Sequence, residues 1–386
     1  MNSTRQRMAR FPLIQKMASL KIMVTCLILL FVLVFWGTID QVNNGLYHAQ
    51  AKFFHSFFFG VFGFLPFPGG QLVLWVMFIN LLCTALVRFE YRLSNLGIIL
   101  IHCGLLSYFM AAFITFHVVE ESQLTLMEGE TSNVSSAYHD WELSIWQQEG
   151  QKKSIFAIDA KLLKPGEIFD VDEWGFKVLI KNYQLNAEPY TAGFQNSGEI
   201  PLNASGIRFL KPLDFNWKEP AGNIPGGDFS VTDSKGKDVP LLLYGGEANP
   251  TMIRWDNKNF YFMLRHKKFV LPLSMKLLDF MKEVHPNTDT ARSYKSRVEI
   301  TTEGLSRELT IFMNHPLSYK NYTFYQASYS VDAQGSEHST LAVVKNSGRL
   351  LPYLASLITF IGLVTHFLVM GILSRNKLKG NHVQYA

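Results

Sequence analysis

The sequence predicts an integral membrane protein of four transmembrane α-helices, with a large β-rich extracytoplasmic domain between the third and the fourth. Three observations carry this. The 386 residues are 48% hydrophobic, 14% aromatic and only 17% charged, and the mean hydropathy of +0.09 lies between that of a soluble enzyme and that of an all-helical transporter. Four segments, roughly residues 22–39, 71–87, 96–116 and 350–373, are each apolar over about the 17–25 residues that a bilayer-crossing helix needs. The polar stretch 118–349 carries 25 Lys and Arg against 29 Asp and Glu, so the net charge of +5 comes from its flanks.

In chain order, a basic tail at 1–21 contains Arg5, Arg7, Arg10 and Lys16. The first span follows, and Gly37-Thr38-Ile39-Asp40 offers no small-residue cleavage site, so the run reads as an anchor rather than a signal peptide. Arg88 and Arg92 follow the second span, and Arg375, Lys377 and Lys379 follow the fourth, at 374–386. By the positive-inside rule these flanks are cytoplasmic, which puts 40–70 and 118–349 outside, in a bacterial periplasm. A nucleic-acid partner is excluded, because the cations border apolar runs rather than covering a folded domain. Membrane lipid is the expected surrounding. Phe53, Phe54, Phe57, Phe58, Phe59, Phe62, Phe64 and Phe67 crowd the 40–70 loop and predict an interfacial helix at the headgroup level, with contact to a ligand as the compatible alternative.

The domain at 118–349 reads as strands, among them Phe176–Ile180, Arg297–Thr301 and Glu308–Phe312, with turns at Gly226-Gly227-Asp228, Ser234-Lys235-Gly236 and Gly245-Gly246, and one short helix near Leu273–Met281. Cys26, Cys83 and Cys103 all fall in apolar runs, so the domain has no disulfide, thiolate metal site or CxxC pair, and redox work on thiols falls to another protein. It contains no GxSxG, HExxH, P-loop or dinucleotide-binding turn. His139, His266, His285, His315 and His338 lack metal-ligand spacing. No catalytic residue is expected.

The intramembrane histidines stand apart, because an ionisable side chain in a span is costly and marks a functional site by default. His102 lies in the third span and His366 in the fourth, each about seven residues from the cytoplasmic end. That places the two imidazoles at one depth, as the axial ligands of a haem iron require. Gly97, Gly104 and Ser107 would admit a flat macrocycle or a neighbouring helix. The competing reading has each imidazole bonded to a backbone carbonyl or to a polar partner such as Asn80. His117, at the outer end of the third span, and His55, in the aromatic loop, are secondary candidates for contact with the cofactor.

Several blocks resemble the ResB family of cytochrome c biogenesis proteins over nearly the whole chain. They are Met17-Ala18-Ser19-Leu20-Lys21 before a span ending Trp36-Gly37-Thr38; Phe53-Phe54-His55-Ser56 before Pro66-Phe67-Pro68-Gly69-Gly70; His102 with Gly104; and, in the polar domain, Leu271-Pro272-Leu273, Lys276-Leu277-Leu278-Asp279-Phe280, Tyr294-Lys295-Ser296-Arg297-Val298, Asn314-His315-Pro316-Leu317 and Phe324-Tyr325-Gln326-Ala327-Ser328-Tyr329. The resemblance implies work beside a CcsA-type partner that carries haem b, transiently bound, outward for attachment to the CxxCH thiols of apocytochrome c, with thiol-reducing proteins supplying reduced cysteines. The chain would then be a subunit of a holocytochrome c synthase complex rather than an enzyme alone. A histidine in the third span is a haem ligand in that family, and His102 occupies the position. The second ligand is generally assigned to the partner, so His366 competes with it. The partner's WGxxWxWD signature is absent here, which implies a separate partner subunit. The alternatives are a b-type cytochrome subunit that transfers electrons and a scaffold whose histidines bind nothing.

Overall fold

The computed structural model describes residues 12–62, 64–149, 152–191, 201–233, 235–255, 257–286, 291–332 and 334–383. Arg5, Arg7, Arg10 and Ser234, named above, lie outside them. In chain order the elements are helices α1 (Pro12–Met17), α2 (Leu20–Asn44) and α3 (Leu46–Ala49), a π turn at Gln50–Phe54, strands β1 (Phe58–Val61) and β2 (Leu65–Pro68), and helices α4 (Gly70–Val87) and α5 (Leu96–Val118). Next come β3 (Glu120–Met127), β4 (Thr131–Glu149), β5 (Lys152–Asp159), β6 (Ile168–Val171), β7 (Phe176–Gln184), β8 (Ala187–Tyr190), β9 (Phe209–Pro212), β10 (Gly226–Asp233), β11 (Asp238–Tyr244), β12 (Thr251–Trp255), β13 (Lys258–Val284), β14 (Ala291–Thr302), β15 (Leu305–Phe312), β16 (Leu317–Tyr319), β17 (Tyr322–Val331) and β18 (Glu337–Lys345). Helix α6 (Leu351–Val383) closes the chain. The chain divides into two compact units, the β unit Glu121–Val344 and a helical unit formed by the segments on either side of it.

In the helical unit, α2, α4, Leu93–Val118 and Leu351–Ile372 are long and apolar enough to cross a membrane. The α1–α2 junction breaks at Ser19, whose side-chain oxygen accepts from the Lys21 amide at 3.3 Å and so caps α2. The carbonyls that this break frees are taken by Asn80 of α4, whose Nδ2 donates to Met17 O and, at 2.9 Å, to Ser19 O. The Ser19 carbonyl also accepts from the Ile22 amide at 3.1 Å, and a carbonyl left unpaired inside an apolar bundle costs about 1–3 kcal/mol. Asn80 is thus a packing residue rather than a partner of either intramembrane histidine.

Helices α5 and α6 meet along a stripe of glycine. A Cβ on Gly97 would run into the His366 backbone, one on Gly104 into Thr359, and one on Gly362 would come within 2.6 Å of the Ile101 amide. Small residues let helix backbones approach where apolar burial gives no drive between spans. The space beside Gly97 and Gly104 is therefore filled by the neighbouring helix, not left as a slot for a macrocycle.

The aromatic loop corrects the expected interfacial helix. It forms α3, the π turn and then a two-stranded hairpin, with Phe58 opposite Pro68 and Val61 opposite Leu65. Trp36 of α2 gathers Phe53, Phe59 and Phe67 at ring-centroid separations of 5.6, 5.9 and 5.9 Å. Burying those rings favours the hairpin, in which alternate residues face one side. Phe57, Phe58, Phe62 and Phe64 stay exposed.

In the β unit, one sheet runs β15-β14-β13-β4-β3-β18-β17-β16, with β12 added to β13 and β5 to β4; a second runs β11-β10-β7-β6, and β8 pairs with β9. The expected short helix near Leu273–Met281 is instead part of β13, a strand of 27 residues. Leu271, Leu273, Met275 and Leu277 are buried at every second position, and period 2 is the signature of a strand with one covered face. The same strand serves two cores: Phe260, Phe262 and Leu264 pack with Val178, Phe229 and Leu243, while Leu271 to Leu277 pack with Leu124, Val298 and Phe324. Gly226 and Gly227 do not turn the chain. They open β10, where a Cβ would meet Leu210 at 2.6 Å and the Asn182 carbonyl at 2.7 Å, so glycine there serves close approach. Gly236 has φ +80, and Gly245-Gly246 follow β11 as a turn.

Candidate haem-handling histidines

His102 sits in the second turn of α5. Its Nδ1 is 2.9 Å from the Ile98 carbonyl oxygen; the carbonyl can only accept, so Nδ1 carries the proton and Nε2 keeps its lone pair. A metal-ligating imidazole is held in this way, with the far nitrogen donating to a fixed carbonyl. Phe89, just beyond α4, meets the His102 ring edge-on at 4.4 Å. The donor chemistry therefore fits an axial haem ligand, and the same bond satisfies the imidazole when it is unliganded.

His102 and His366 are not brought together. The Gly97–His366 and Gly104–Thr359 contacts fix the α5–α6 register, so His366 is level with Gly97 and His102 lies five residues, about 7.5 Å, further along. Five residues also turn a 3.6-residue helix by about 140° from the glycine stripe, so His102 faces away from α6. The depth expected to be shared thus differs, because the glycine packing sets the register and flank length alone does not. His366 contacts the ring of Phe367 at 5.8 Å and abuts the α5 backbone.

At the other end of α5, His117 Nδ1 donates to the Phe113 carbonyl at 2.9 Å, repeating the His102 arrangement. Its ring lies 4.3 Å from Phe113 and 5.1 Å from Phe116. Phe116 in turn meets His55 at 5.1 Å. Two of the four candidate histidines thus share one aromatic cluster.

A cluster that the sequence did not single out lies at the end of α2. Asp40, almost enclosed, accepts from His48 Nδ1 at 2.8 Å, Asn44 Nδ2 at 3.1 Å and Lys52 Nζ at 3.3 Å. It clamps α3 and the π turn onto α2. Three donors at 4, 8 and 12 residues beyond one carboxylate were the available sign. Among the described residues, no group of three His, Cys, Asp or Glu forms a metal site.

Four helices are long and apolar enough to cross a membrane, a large β-rich unit is joined to them, and one of the helices carries two imidazoles bonded to backbone carbonyls. Residues 241–347 match the ResB-like family. The match spans β11 to β18 and includes the blocks from Leu271 to Tyr329 that carry the resemblance. Protein NrfI of Wolinella succinogenes is 33% identical over 100 residues, 25% of this chain and 11% of NrfI, so the matched stretch is a small part of that relative.

Proposed function

We propose that the chain binds haem through His102 and, with a CcsA-type membrane partner, delivers it for attachment to the CxxCH thiols of apocytochrome c. The observation that carries this is the Nδ1–Ile98 bond, which presents Nε2 as a ligand from an apolar helix. His102 would hold the haem iron through Nε2, with the Ile98 carbonyl fixing the tautomer and the Phe89 edge limiting rotation of the ring. His366 packs on the opposite side of α5, which supports a partner residue as the second inner ligand.

In this reading the four helices span a bacterial inner membrane with both termini cytoplasmic, and the β unit is periplasmic. The Lys and Arg flanks support that orientation. The β unit shields the outer side of the complex or positions the apocytochrome, whose thiols are kept reduced by other proteins of the pathway.

The test is purification of the full chain, with and without a CcsA-type partner, followed by reduced absorption spectra. Wild type with its partner should show a bis-imidazole haem spectrum, His102→Ala should lose it, and His366→Ala should keep it. Equal loss in both variants would restore the intrachain pair. A chain that carries no haem even beside its partner would make the protein a scaffold.

A further inference from the structure

The hairpin β1–β2 is apolar on both faces, since residues 57–68 carry no polar side chain. One face is buried: Phe59, Val61 and Phe67 pack in the helical core, with Phe59 and Phe67 against Trp36 of α2. The other face and the turn are open. Phe58 lies there opposite Pro68 and Gly60 opposite Pro66, while Phe62 and Phe64 are 85% and 81% exposed and Leu65 is half-exposed. Phe62 also takes φ +53, a left-handed backbone that a bulky side chain rarely adopts. Besides the Trp36 contacts, the Gly69 amide donates to the Phe57 carbonyl at 2.8 Å, and α4 starts at the next residue. The hairpin is thus fixed to two of the helices long and apolar enough to cross a membrane. One helical turn beyond Trp36, about 6 Å, Asp40 gathers Asn44, His48 and Lys52. A charged cluster of that kind belongs where a span leaves the hydrocarbon, so the rings packed on Trp36 lie just beneath that level.

We infer that the open side of this hairpin, formed by Phe58, Phe62, Phe64 and Leu65, is a lipid-binding wedge seated at the boundary between the headgroups and the acyl chains. The inference rests on the reading that the four helices cross a membrane. Rings left in water are unfavourable in proportion to their exposed apolar area, and transfer into lipid offsets the strained backbone that holds Phe62 outward. The backbone also limits the depth. A two-stranded hairpin has two outer edges whose N–H and C=O groups lack a strand partner, and the hydrocarbon centre does not accept such groups. Pro66 and Pro68 bring no N–H to β2, and at the headgroup level water satisfies the rest, where aromatic side chains are favoured. Lipid fits better than a protein surface, because specific protein interfaces carry hydrogen bonds and this tip offers no polar side chain. The hydrophobic drive for insertion into lipid is non-directional and needs none.

The experiment reconstitutes the full chain in phosphatidylcholine vesicles whose lipids are brominated either just below the headgroup or near the end of the acyl chains. Tryptophan fluorescence is read in Phe62→Trp and Phe64→Trp, and in Phe58→Trp should a turn variant lose the wild-type thermal midpoint. The emission added over wild type should be blue-shifted, and bromine near the headgroup should quench it more than bromine near the chain end. Phe360→Trp, exposed on α6 near the middle of the apolar stretch Leu351–Ile372, should show the reverse order. If the hairpin variants escape both brominated lipids while Phe360→Trp is quenched, the wedge is overturned and the membrane reading stands. If Phe360→Trp escapes as well, the membrane reading falls with it. Stronger quenching of the hairpin variants near the chain end overturns the boundary depth. Quenching that disappears when a CcsA-type partner is reconstituted alongside makes the tip a protein interface and overturns the lipid assignment.

Discussion

His266 shows how one buried ring ties pH to stability. Its ring packs on Trp141 at 4.0 Å, and its Nδ1 is buried without a partner. Burial, and then the charges of Lys268 and His139, hold its pKa below the ordinary imidazole value, against a hydrogen bond to the Asp140 backbone. The unfolded chain therefore binds the proton first as pH falls, so stability is full above about pH 6.5 and is lost from there down toward the depressed value. The urea midpoint of wild type should drop on acidification from about pH 7.5 to 5.5, and that drop should shrink in His266→Phe. An unchanged pH slope in the variant would remove His266 from the account. Residue types such as His102 and His266 are plain in the sequence, but their tautomers and burial come from carbonyls and rings that folding supplies.

At the scale of elements, glycine sets how α5 packs on α6. Gly104→Leu forces its new side chain into Thr359, and overpacking of this kind costs about 1–3 kcal/mol. Its thermal midpoint in detergent should fall by several degrees. Gly222→Leu, where a Cβ meets nothing within 4 Å, should leave the midpoint within about a degree, as surface substitutions do. Equal effects would show that the glycine stripe does not hold the pair. The apolar lengths of these helices are legible from composition, because the bilayer sets them. Their register is not, since a glycine at 97 or 104 is visible without its partner helix. The hairpin at Phe58–Pro68 was missed for a related reason: the rings that signal an interface are the same rings that Trp36 draws inward.

At the scale of the whole molecule, the β unit carries its own cores. Val178, Phe229 and Phe262 are almost wholly buried in one, and Met275, Val298 and Phe324 in the other, while Ser296, Gln326 and Ser339 hydrogen-bond one another inside the second. With two apolar cores of its own, Glu121–Val344 should fold by itself in the absence of detergent. Far-UV circular dichroism of that fragment should show a β spectrum lost in a cooperative urea transition. A non-cooperative loss would mean that the helices are needed to complete the cores.

The sequence by itself determined the classes of segment, four apolar helices and a β-rich region, because hydropathy and period 2 or 3.6 follow from each residue's own chemistry. It also singled out His102, His366, His117 and His55 as candidate ligands. Only the tertiary structure decided which of them meet. The glycine packing of α5 on α6 turns His102 away from His366, and the π turn with its hairpin carries His55 to Phe116 and so beside His117. Those juxtapositions depend on helix register and on which rings are buried, and both are settled between segments rather than within them.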